Sequence, residues 1–154
     1  MLNDGDKGVI VQRDRQTYAV TPDIPCGVVQ PETLRLKFDG KYRGMALPGK
    51  FKIGISGCPH QCAETCIKDI GLVGTVKGWR LLVGGNGGAR PRLAQELARD
   101  LTEDQALQLV DTIIAYYKAN AGAHKRLGAM IEKVGLDEFR GGNLGPEVVS
   151  AASE

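Results

Sequence analysis

The sequence predicts an α/β fold, more narrowly an α+β arrangement in which helices pack on a mixed sheet. Residues 50–56 alternate apolar and other side chains with the period of a strand. Residues 102–105 form a Thr-x-x-Gln capping box, which marks the start of a helix. Apolar residues then recur at helical spacing through residues 107–117. At 154 residues the chain has the length of a single domain.

The N-terminal part combines a predicted hairpin with a short helix. Residues 8–20 contain two short apolar stretches that are typical of paired strands. A passage rich in proline follows through residues 22–31. Pro31 suits the first position of a helix, because its missing N–H would have no partner there. The Asp39-Gly40 pair is expected to interrupt that helix and keep it very short.

The middle of the chain predicts strand, helix, strand and strand in that order. A strand over residues 50–56 turns at Gly57-Cys58-Pro59, and Pro59 then begins a predicted helix that runs to about Lys68. Residues 70–76 and 79–83 are apolar enough to form two further strands. The second of these leads into a glycine-rich loop at residues 84–88.

The last third predicts two helices. Thr102 caps the first, and Gln105 reaches back to complete the capping box. The second is expected over residues 123–134, where Gly135 ends it. The stretch after Phe139 is rich in glycine and small residues, so we expect it to fray.

Composition and charge exclude several classes of function. The net charge is +2, and no basic stripe interleaved with aromatic residues indicates nucleic-acid binding. No apolar run reaches membrane-spanning length, and the acidic, polar start is unlike a secretory signal. We therefore expect a cytoplasmic protein. In that reducing compartment the four cysteines favour metal or redox chemistry over disulfides.

Three cysteines recur at intervals of four residues, at Cys58, Cys62 and Cys66. On a helix that begins at Pro59, the second and third would share one face and the first would lie at the helix start. A helix N-terminus stabilises thiolates, which ligate iron–sulfur clusters and zinc. The alternative is a set of buried, inert thiols. Zinc is a less favoured rival, since its sites prefer two-residue spacing and His60 stands alone.

Four short motifs around these cysteines follow one another in a characteristic order. Residues 55–62 read ISGCPHQC, and residues 69–74, 82–86 and 90–92 read DIGLVG, LVGGN and RPR. In order and spacing they resemble the sirohaem and [4Fe–4S] half of the nitrite/sulfite reductase family. Residues 12–28 are similar to the start of the ferredoxin-like half-domain of its small members.

The resemblance implies two cofactors, a [4Fe–4S] cluster and sirohaem. It makes Cys58 and Cys62 the second of two ligand pairs, with Cys62 as the thiolate that also bridges to the sirohaem iron. It places the loop with Gly84, Gly85 and Asn86 against the cofactors. Nearby cations could pair with the sirohaem carboxylates, since arginine forks suit carboxylates. These are Lys50, Lys52, Arg80, Arg90 and Arg92; for the two lysines an ordinary surface role is favoured, and for Arg90 and Arg92 cofactor binding is favoured.

The chain also departs from the family pattern. Between Leu34 and Phe38 the family has a much longer stretch, which carries the first cysteine pair and most of the substrate-binding cations. Cys66 is not a family ligand position, and Cys26 lies where the family often has glycine; either could substitute as a weaker ligand. Asp23 stands about where a cation commonly lies, and it would repel an anion.

Two classes of function follow from the resemblance. The first is a sirohaem- and [4Fe–4S]-dependent oxidoreductase that reduces a small oxyanion, sulfite or nitrite, with electrons from a ferredoxin-like or flavoprotein donor. The second is a non-catalytic iron–sulfur electron-transfer or binding module, or a remnant without a cluster. We expect residues 1–38 to form a partial ferredoxin-like half-domain, 39–140 the cofactor-binding domain and 141–154 a flexible tail. A homo-oligomer or a second chain could complete the site.

Overall fold

A computed structural model of the chain describes residues 9–13, 16–20 and 31–143. Within them six strands form one sheet in sequence order. The strands are β1 (Val9–Arg13), β2 (Gln16–Val20), β3 (Phe51–Ser56), β4 (Ile70–Thr75), β5 (Gly78–Val83) and β6 (Gln95–Leu101). The helices are α1 (Pro31–Tyr42), α2 (Glu103–Asn120), α3 (Leu127–Val134) and α4 (Leu136–Asn143).

The sheet is mixed, as the sequence predicts. β2, β3 and β4 are parallel neighbours, whereas the pairs β1–β2, β4–β5 and β5–β6 are antiparallel. The hairpin predicted over residues 8–20 is confirmed by β1 and β2. No helix within the described residues is long and apolar enough to cross a membrane.

One face of the sheet carries the hydrophobic core. Side chains alternate across a strand, so Ile53 and Ile55 of β3 lie on the same face as Ile70 and Leu72 of β4. All four are at most 2% exposed, and they belong to one cluster with buried residues of the helices. The opposite face, which includes Gly54 and Gly71, receives the β3–β4 connection. The two faces therefore divide the core from the cysteine-bearing segment.

Helix α1 is longer than predicted, because Gly40 does not end it. Leu34, Phe38 and Tyr42 recur every four residues and are 0%, 1% and 2% exposed. Burying one such side chain contributes about 1.5–3 kcal/mol, which exceeds the cost of about 1 kcal/mol for glycine inside a helix. The helix runs across the predicted domain boundary at residue 38. The division into domains stays a prediction.

The C-terminal region confirms one predicted helix and corrects the rest. Thr102 and Gln105 form the expected capping box at the start of α2. α3 ends before Gly135 as predicted, but it begins at Leu127 rather than near residue 123. α4 follows at once, and Phe139 within it is fully buried against Tyr116. Fraying immediately after Phe139 is therefore wrong; the rest of the predicted tail, from residue 144, lies outside the described residues.

Strand β6 was not foreseen. Its sequence, QELARDL, has the composition of a helix. Only Leu97, Ala98 and Leu101 are buried, and a bulge in the pairing with β5 breaks their alternation. Pairing with β5 prevails over local propensity.

Candidate cysteine and cofactor site

The predicted helix from Pro59 to Lys68 is wrong, because the cysteine-bearing connection is built from turns. The N–H of Gln61 donates to the carbonyl of Cys58 at 3.3 Å, and the N–H of Glu64 donates to the carbonyl of Gln61 at 2.8 Å. Gln61 and Glu64 have φ values of 52° and 53°, which no α-helix tolerates. A short 3-10 helix, Thr65–Ile67, then leads into β4.

Polar side chains hold this connection in its turned path. The Oγ of Ser56, at the end of β3, accepts the N–H of Ala63 at 3.2 Å. The Thr65 hydroxyl donates to the side-chain carbonyl of Gln61 at 2.7 Å. The first bond gives the backbone N–H of Ala63 a side-chain partner in place of a helical carbonyl, and the second ties two side chains of the turns together.

Two glycines in the parallel strands let the connection lie directly on the sheet. A Cβ atom on Gly71 would lie 2.4 Å from the carbonyl oxygen of Thr65. A Cβ on Gly54, its neighbour in register, would lie 2.9 Å from Cγ of Lys68. Side chains at either position would push the cysteine segment off the sheet. Gly54 and Gly71 are therefore the sequence signal for this close contact, and hydrophobic periodicity does not reveal it.

The three cysteines of this segment differ in their environment. Cys58 is buried, Cys66 is half-buried, and Cys62 is exposed. None forms a disulfide within the described residues. In that same part of the chain no three His, Cys, Asp or Glu side chains lie close enough together to hold a metal ion. The predicted helical face shared by Cys62 and Cys66 therefore does not exist, and Cys26 lies outside the described residues.

The glycine-rich loop after β5 touches the cysteine segment. A Cβ on Gly85 would lie 2.7 Å from the carbonyl oxygen of Lys68 and 2.8 Å from that of Cys66. Gly84 has a φ of +85°, and its N–H donates to the carbonyl of Asp69 at 2.9 Å. The first glycines of the loop are therefore required by contacts within the protein itself.

Asn86 and Arg92 clamp the two ends of this loop. Each donates its backbone N–H to the other's carbonyl, at 3.0 and 2.8 Å. The buried Asn86 amide also donates to the carbonyl of Arg90 at 2.7 Å. The Arg92 guanidinium contacts Oδ1 of Asn86 at 3.2 Å and pairs with Glu132 of α3. Arg90 is exposed and forms no ion pair with any described residue.

The remaining predicted cations fall into two groups. Arg80 forms an ion pair with Glu96 at 2.6 Å, and it shares that carboxylate with Arg99. Lys50 is exposed and Lys52 is half-buried at the start of β3. Burial lowers the pKa of Lys52, and the neighbouring charges of Lys50, Lys68 and Arg126 lower it further.

A buried charge that the sequence did not reveal joins these parts. Asp69 is fully buried between the cysteine segment and β4. Its carboxylate accepts the backbone N–H of Lys52 at 2.9 Å and two N–H groups of Arg126, one of them at 3.2 Å. Burial raises the pKa of Asp69, and the bonds from Arg126 oppose that rise. The pair fixes the start of α3 to the sheet.

Helix α3 also packs tightly on the glycine loop. A Cβ on Gly128 would lie 2.2 Å from the carbonyl oxygen of Gly84. Beside this contact a cleft of about 430 Å³ opens between the loop and α3; Arg92, Leu93, Ile131 and Glu132 are among its lining residues.

Comparison with known proteins decides the family. The model of the nitrite and sulphite reductase 4Fe–4S domain matches residues 29–142. The chain belongs to this family. Membership implies a [4Fe–4S] cluster and sirohaem as its cofactors. The family assignment from the cysteine, DIGLVG and LVGGN motifs is thereby confirmed.

Individual relatives agree with the family. An assimilatory-type sulfite reductase of Nitratidesulfovibrio vulgaris is 30% identical over 218 residues, which cover 94% of this chain and all of that protein. A nitrite reductase [NAD(P)H] of Bacillus subtilis is 36% identical over 114 residues, covering 74% of this chain but 14% of that protein. The alignment therefore runs from end to end of the first relative and covers a small part of the second.

Two solved structures share the fold. The Mycobacterium tuberculosis NirA protein superposes with a TM-score of 0.69 at 21% identity, covering 90% of this chain and 28% of that one. Dissimilatory sulfite reductase I superposes with a TM-score of 0.75 at 12% identity, covering 92% of this chain and 53% of that one. These likenesses confirm the α+β fold with its mixed sheet.

The alignment with the N. vulgaris relative supports an internal gap. It runs over 218 positions, yet 94% of a 154-residue chain fills roughly two thirds of them. About a third of the aligned positions therefore have no counterpart here. The place of those positions along the chain stays a prediction, and α1 runs through Leu34 and Phe38 as one continuous helix.

The ligands in the described residues do not complete the cluster that the family implies. A [4Fe–4S] cluster is held by four cysteine thiolates. Cys58 and Cys62 are the ligands predicted from the family resemblance, and no third ligand joins them among the described residues. Gly84 and Gly85 are occupied by contacts within the protein, and Arg90 is the exposed cation of the loop. The thiolates of the described residues alone fall short of a cluster site.

Proposed function

We propose that this chain is the cofactor-binding part of a sirohaem- and [4Fe–4S]-dependent reductase of sulfite or nitrite. The observation that carries the proposal is the placement of Cys58 and Cys62 on a fixed connection between two parallel strands, within a family match over residues 29–142. When bound, the cluster would supply electrons and the sirohaem iron would bind the anion. Two of the four cluster ligands would come from this pair.

The residues around the pair are suited to holding cofactors. Ser56 and Thr65 fix the cysteine segment, and Gly71 lets it lie on the sheet, so Cys58 and Cys62 keep a defined position. Arg90 is exposed beside the glycine loop, and it could pair with a sirohaem carboxylate without first breaking an ion pair with another described residue. Arg92 would have to release or share Glu132 to do the same.

Lys50 and Lys52 give a second source of positive charge, at the opposite end of β3 from Cys58. Burial lowers the pKa of Lys52 most, the charges of Lys50, Lys68 and Arg126 lower it further, and Asp69 opposes the shift. An ordinary surface role stays the favoured interpretation of both lysines, and Arg90 is the cation that we propose for the cofactor.

The electron donor would be a separate redox protein, ferredoxin-like or flavin-containing. Several relatives are named nitrite reductase [NAD(P)H], which is consistent with electrons that derive from a nicotinamide. Sulfite and nitrite remain alternatives, since relatives of both kinds are similar to this chain.

A non-catalytic iron–sulfur module is the second candidate. The specific observation in its favour is that about a third of the positions of the N. vulgaris sulfite reductase have no counterpart in this chain. The resemblance implies that the stretch missing here carries most of the cations that bind the substrate in the family. A chain without them could hold a cluster and transfer electrons, yet leave the anion without charge stabilisation.

An assay of both anions separates the two candidates. The full chain is produced anaerobically together with sirohaem synthesis, and reduction of sulfite and of nitrite by reduced methyl viologen is measured. The reductase proposal predicts turnover of one anion, which Cys62→Ser abolishes and Cys66→Ser largely retains. Bound cluster and sirohaem without turnover of either anion would favour the non-catalytic module. Equal loss in both variants would contradict the ligand assignment.

A further inference from the structure

One glutamate at the edge of the sheet holds three arginines. The carboxylate of Glu96 in β6 pairs with Arg80 of β5 at 2.6 Å and with Arg99 at 2.5 Å. Arg140 of α4 donates to the backbone carbonyl of Glu96 at 3.0 Å. We call these four residues the arginine surface. Three positive charges and one negative charge give it a net charge of +2.

The arginines of this surface keep unused capacity to bind an anion. The side chains of Arg99 and Arg80 are 57% and 35% exposed, and neither pairs with a second carboxylate of the described residues. The Nε of Arg140 is buried without a hydrogen-bond partner in that part of the chain. Burial alone would raise the pKa of Glu96, but the bonds from Arg80 and Arg99 outweigh it and lower the pKa. Glu96 is therefore ionised at neutral pH, and the excess positive charge comes from the arginines.

Ion pairs on the opposite side of the sheet are balanced, in contrast. On the helices that cover the core face, Lys37 pairs with Glu103, and Lys41 pairs with Asp111. Each of these lysines has at least one carboxylate of its own. The excess of cations is thus a property of the arginine surface and not of every charged cluster in the described residues.

The arginine surface lies on the same face of the sheet as the cysteine segment. Ser56 is in register with Val73, and Val73 is in register with Arg80. All three alternate with core residues, so they lie on the face where Ser56 binds the N–H of Ala63. Two strand spacings place the Cα atoms of Ser56 and Arg80 about 10 Å apart. Since Cys58 follows Ser56 by two residues, the arginines lie close to the start of the cysteine segment.

We propose that the electron donor docks on the arginine surface, and that this donor is a small redox protein with an acidic surface. The inference rests on the proposed function, because it names the partner that delivers the electrons. An acidic partner complements the net charge of +2, and such complementarity speeds association and fixes orientation. The donor binds in its reduced form, gives up one electron to this chain and leaves oxidised, with no covalent bond made or broken.

Binding and turnover on the full chain test this docking surface. The chain is produced anaerobically with sirohaem synthesis, and calorimetry measures its affinity for two probes, an acidic ferredoxin and an acidic flavodoxin. Arg99→Gln removes one exposed positive charge, so it should weaken binding of the probe about fivefold at low salt. The difference should fade at high salt, which screens surface charges. Turnover driven by reduced methyl viologen should be unchanged, because that small donor needs no docking surface.

A second variant should act in the opposite direction. Glu96→Gln removes the one negative charge of the arginine surface and raises its net charge from +2 to +3, so it should tighten binding. Lys118→Gln is the matched control, because Lys118 is exposed in the last turn of α2, which packs on the core face. It removes the same charge as Arg99→Gln and should leave binding unchanged. A merely structural role of the cluster would weaken binding in both surface variants.

The outcomes separate this inference from the proposed function. Equal weakening by Arg99→Gln and Lys118→Gln would overturn the docking surface, and so would weaker binding by Glu96→Gln. Failure of both probes to bind the parent chain at low salt would overturn it as well. In each of these cases, turnover with methyl viologen would leave the proposed function standing. No turnover with methyl viologen would overturn the proposed function, and with it electron delivery at this surface, even where the probes bind.

Discussion

The buried ion pair between Asp69 and Arg126 offers a sharp test of how the site is held together. Asp69 is fully buried, and its carboxylate accepts one backbone N–H from Lys52 and two N–H groups from Arg126. The substitution Arg126→Ala removes the counter-charge but leaves the carboxylate in place. The buried carboxylate of Asp69 then keeps one hydrogen bond from another residue, the backbone N–H of Lys52.

The expected cost follows from that environment. Removing one partner of a buried ion pair costs about 3–5 kcal/mol, because the remaining charge is neither paired nor hydrated. A domain of this kind has a total stability of about 5–15 kcal/mol. Arg126→Ala should therefore lose a large fraction of the free energy of unfolding, and it should release α3 from the sheet.

The loss should depend on pH in a defined direction. Burial raises the pKa of Asp69 above its ordinary value of 3.8, and bonds from Arg126 oppose that rise. Without Arg126 the pKa rises further. Between 3.8 and the raised pKa the folded state keeps its proton while the unfolded state has lost it, so stability falls as pH increases. The cost of Arg126→Ala should thus be larger at pH 8 than at pH 5.

Urea unfolding measures this cost. Trp79 is the single tryptophan and is 3% exposed, so its fluorescence reports on unfolding. Arg43→Ala is a matched control, because Arg43 also forms two bonds to an aspartate, Asp39, but on the surface of α1. We expect that control to cost less than about 0.5 kcal/mol. Equal costs for both variants, or a cost for Arg126→Ala that is the same at both pH values, would refute the reasoning.

Four further substitutions have expected effects that the same urea experiment checks. Gly128→Ala should cost about 1–3 kcal/mol, because its Cβ would collide with the carbonyl of Gly84, whereas Gly40→Ala, with open space around it, should stabilise α1 by up to about 1 kcal/mol. Equal effects at the two glycines would contradict the close packing of α3. Thr102→Ala should cost about 1 kcal/mol through loss of the capping box, and an unchanged midpoint would show that the cap is redundant. Glu64→Gly should stabilise by about 1 kcal/mol through relief of its positive φ, and a clear loss of stability would mean that its ion pair with a buried lysine outweighs the strain.

The sequence predicts those parts of the fold that are determined by local pattern. β3 alternates clearly, and the capping box at Thr102 is a strictly local signal, so both are found where expected. The connection after Cys58 is different. Pro59 and the four-residue cysteine spacing favour a helix, but contacts to Ser56 and to the glycine face of the sheet impose turns instead. Sequence periodicity does not contain those contacts.

The candidate site is predicted only in part for a similar reason. The motif around Cys58 and Cys62 identifies the family, and the family match confirms it. The partner of Asp69 could not be identified, since Arg126 lies 57 residues further along the chain. An aspartate directly before an apolar strand does signal that a buried charge needs a partner. The packing of α3 on the sheet determines that Arg126 is the cation that pairs with Asp69.

The central claim is that this chain binds the family's cofactors, and an absorption spectrum tests it most directly. The full chain is isolated anaerobically after production with sirohaem synthesis, and iron and acid-labile sulfide are counted on the same sample. The claim predicts sirohaem bands together with cluster iron and sulfide. A colourless protein that stays free of iron after reconstitution would contradict it.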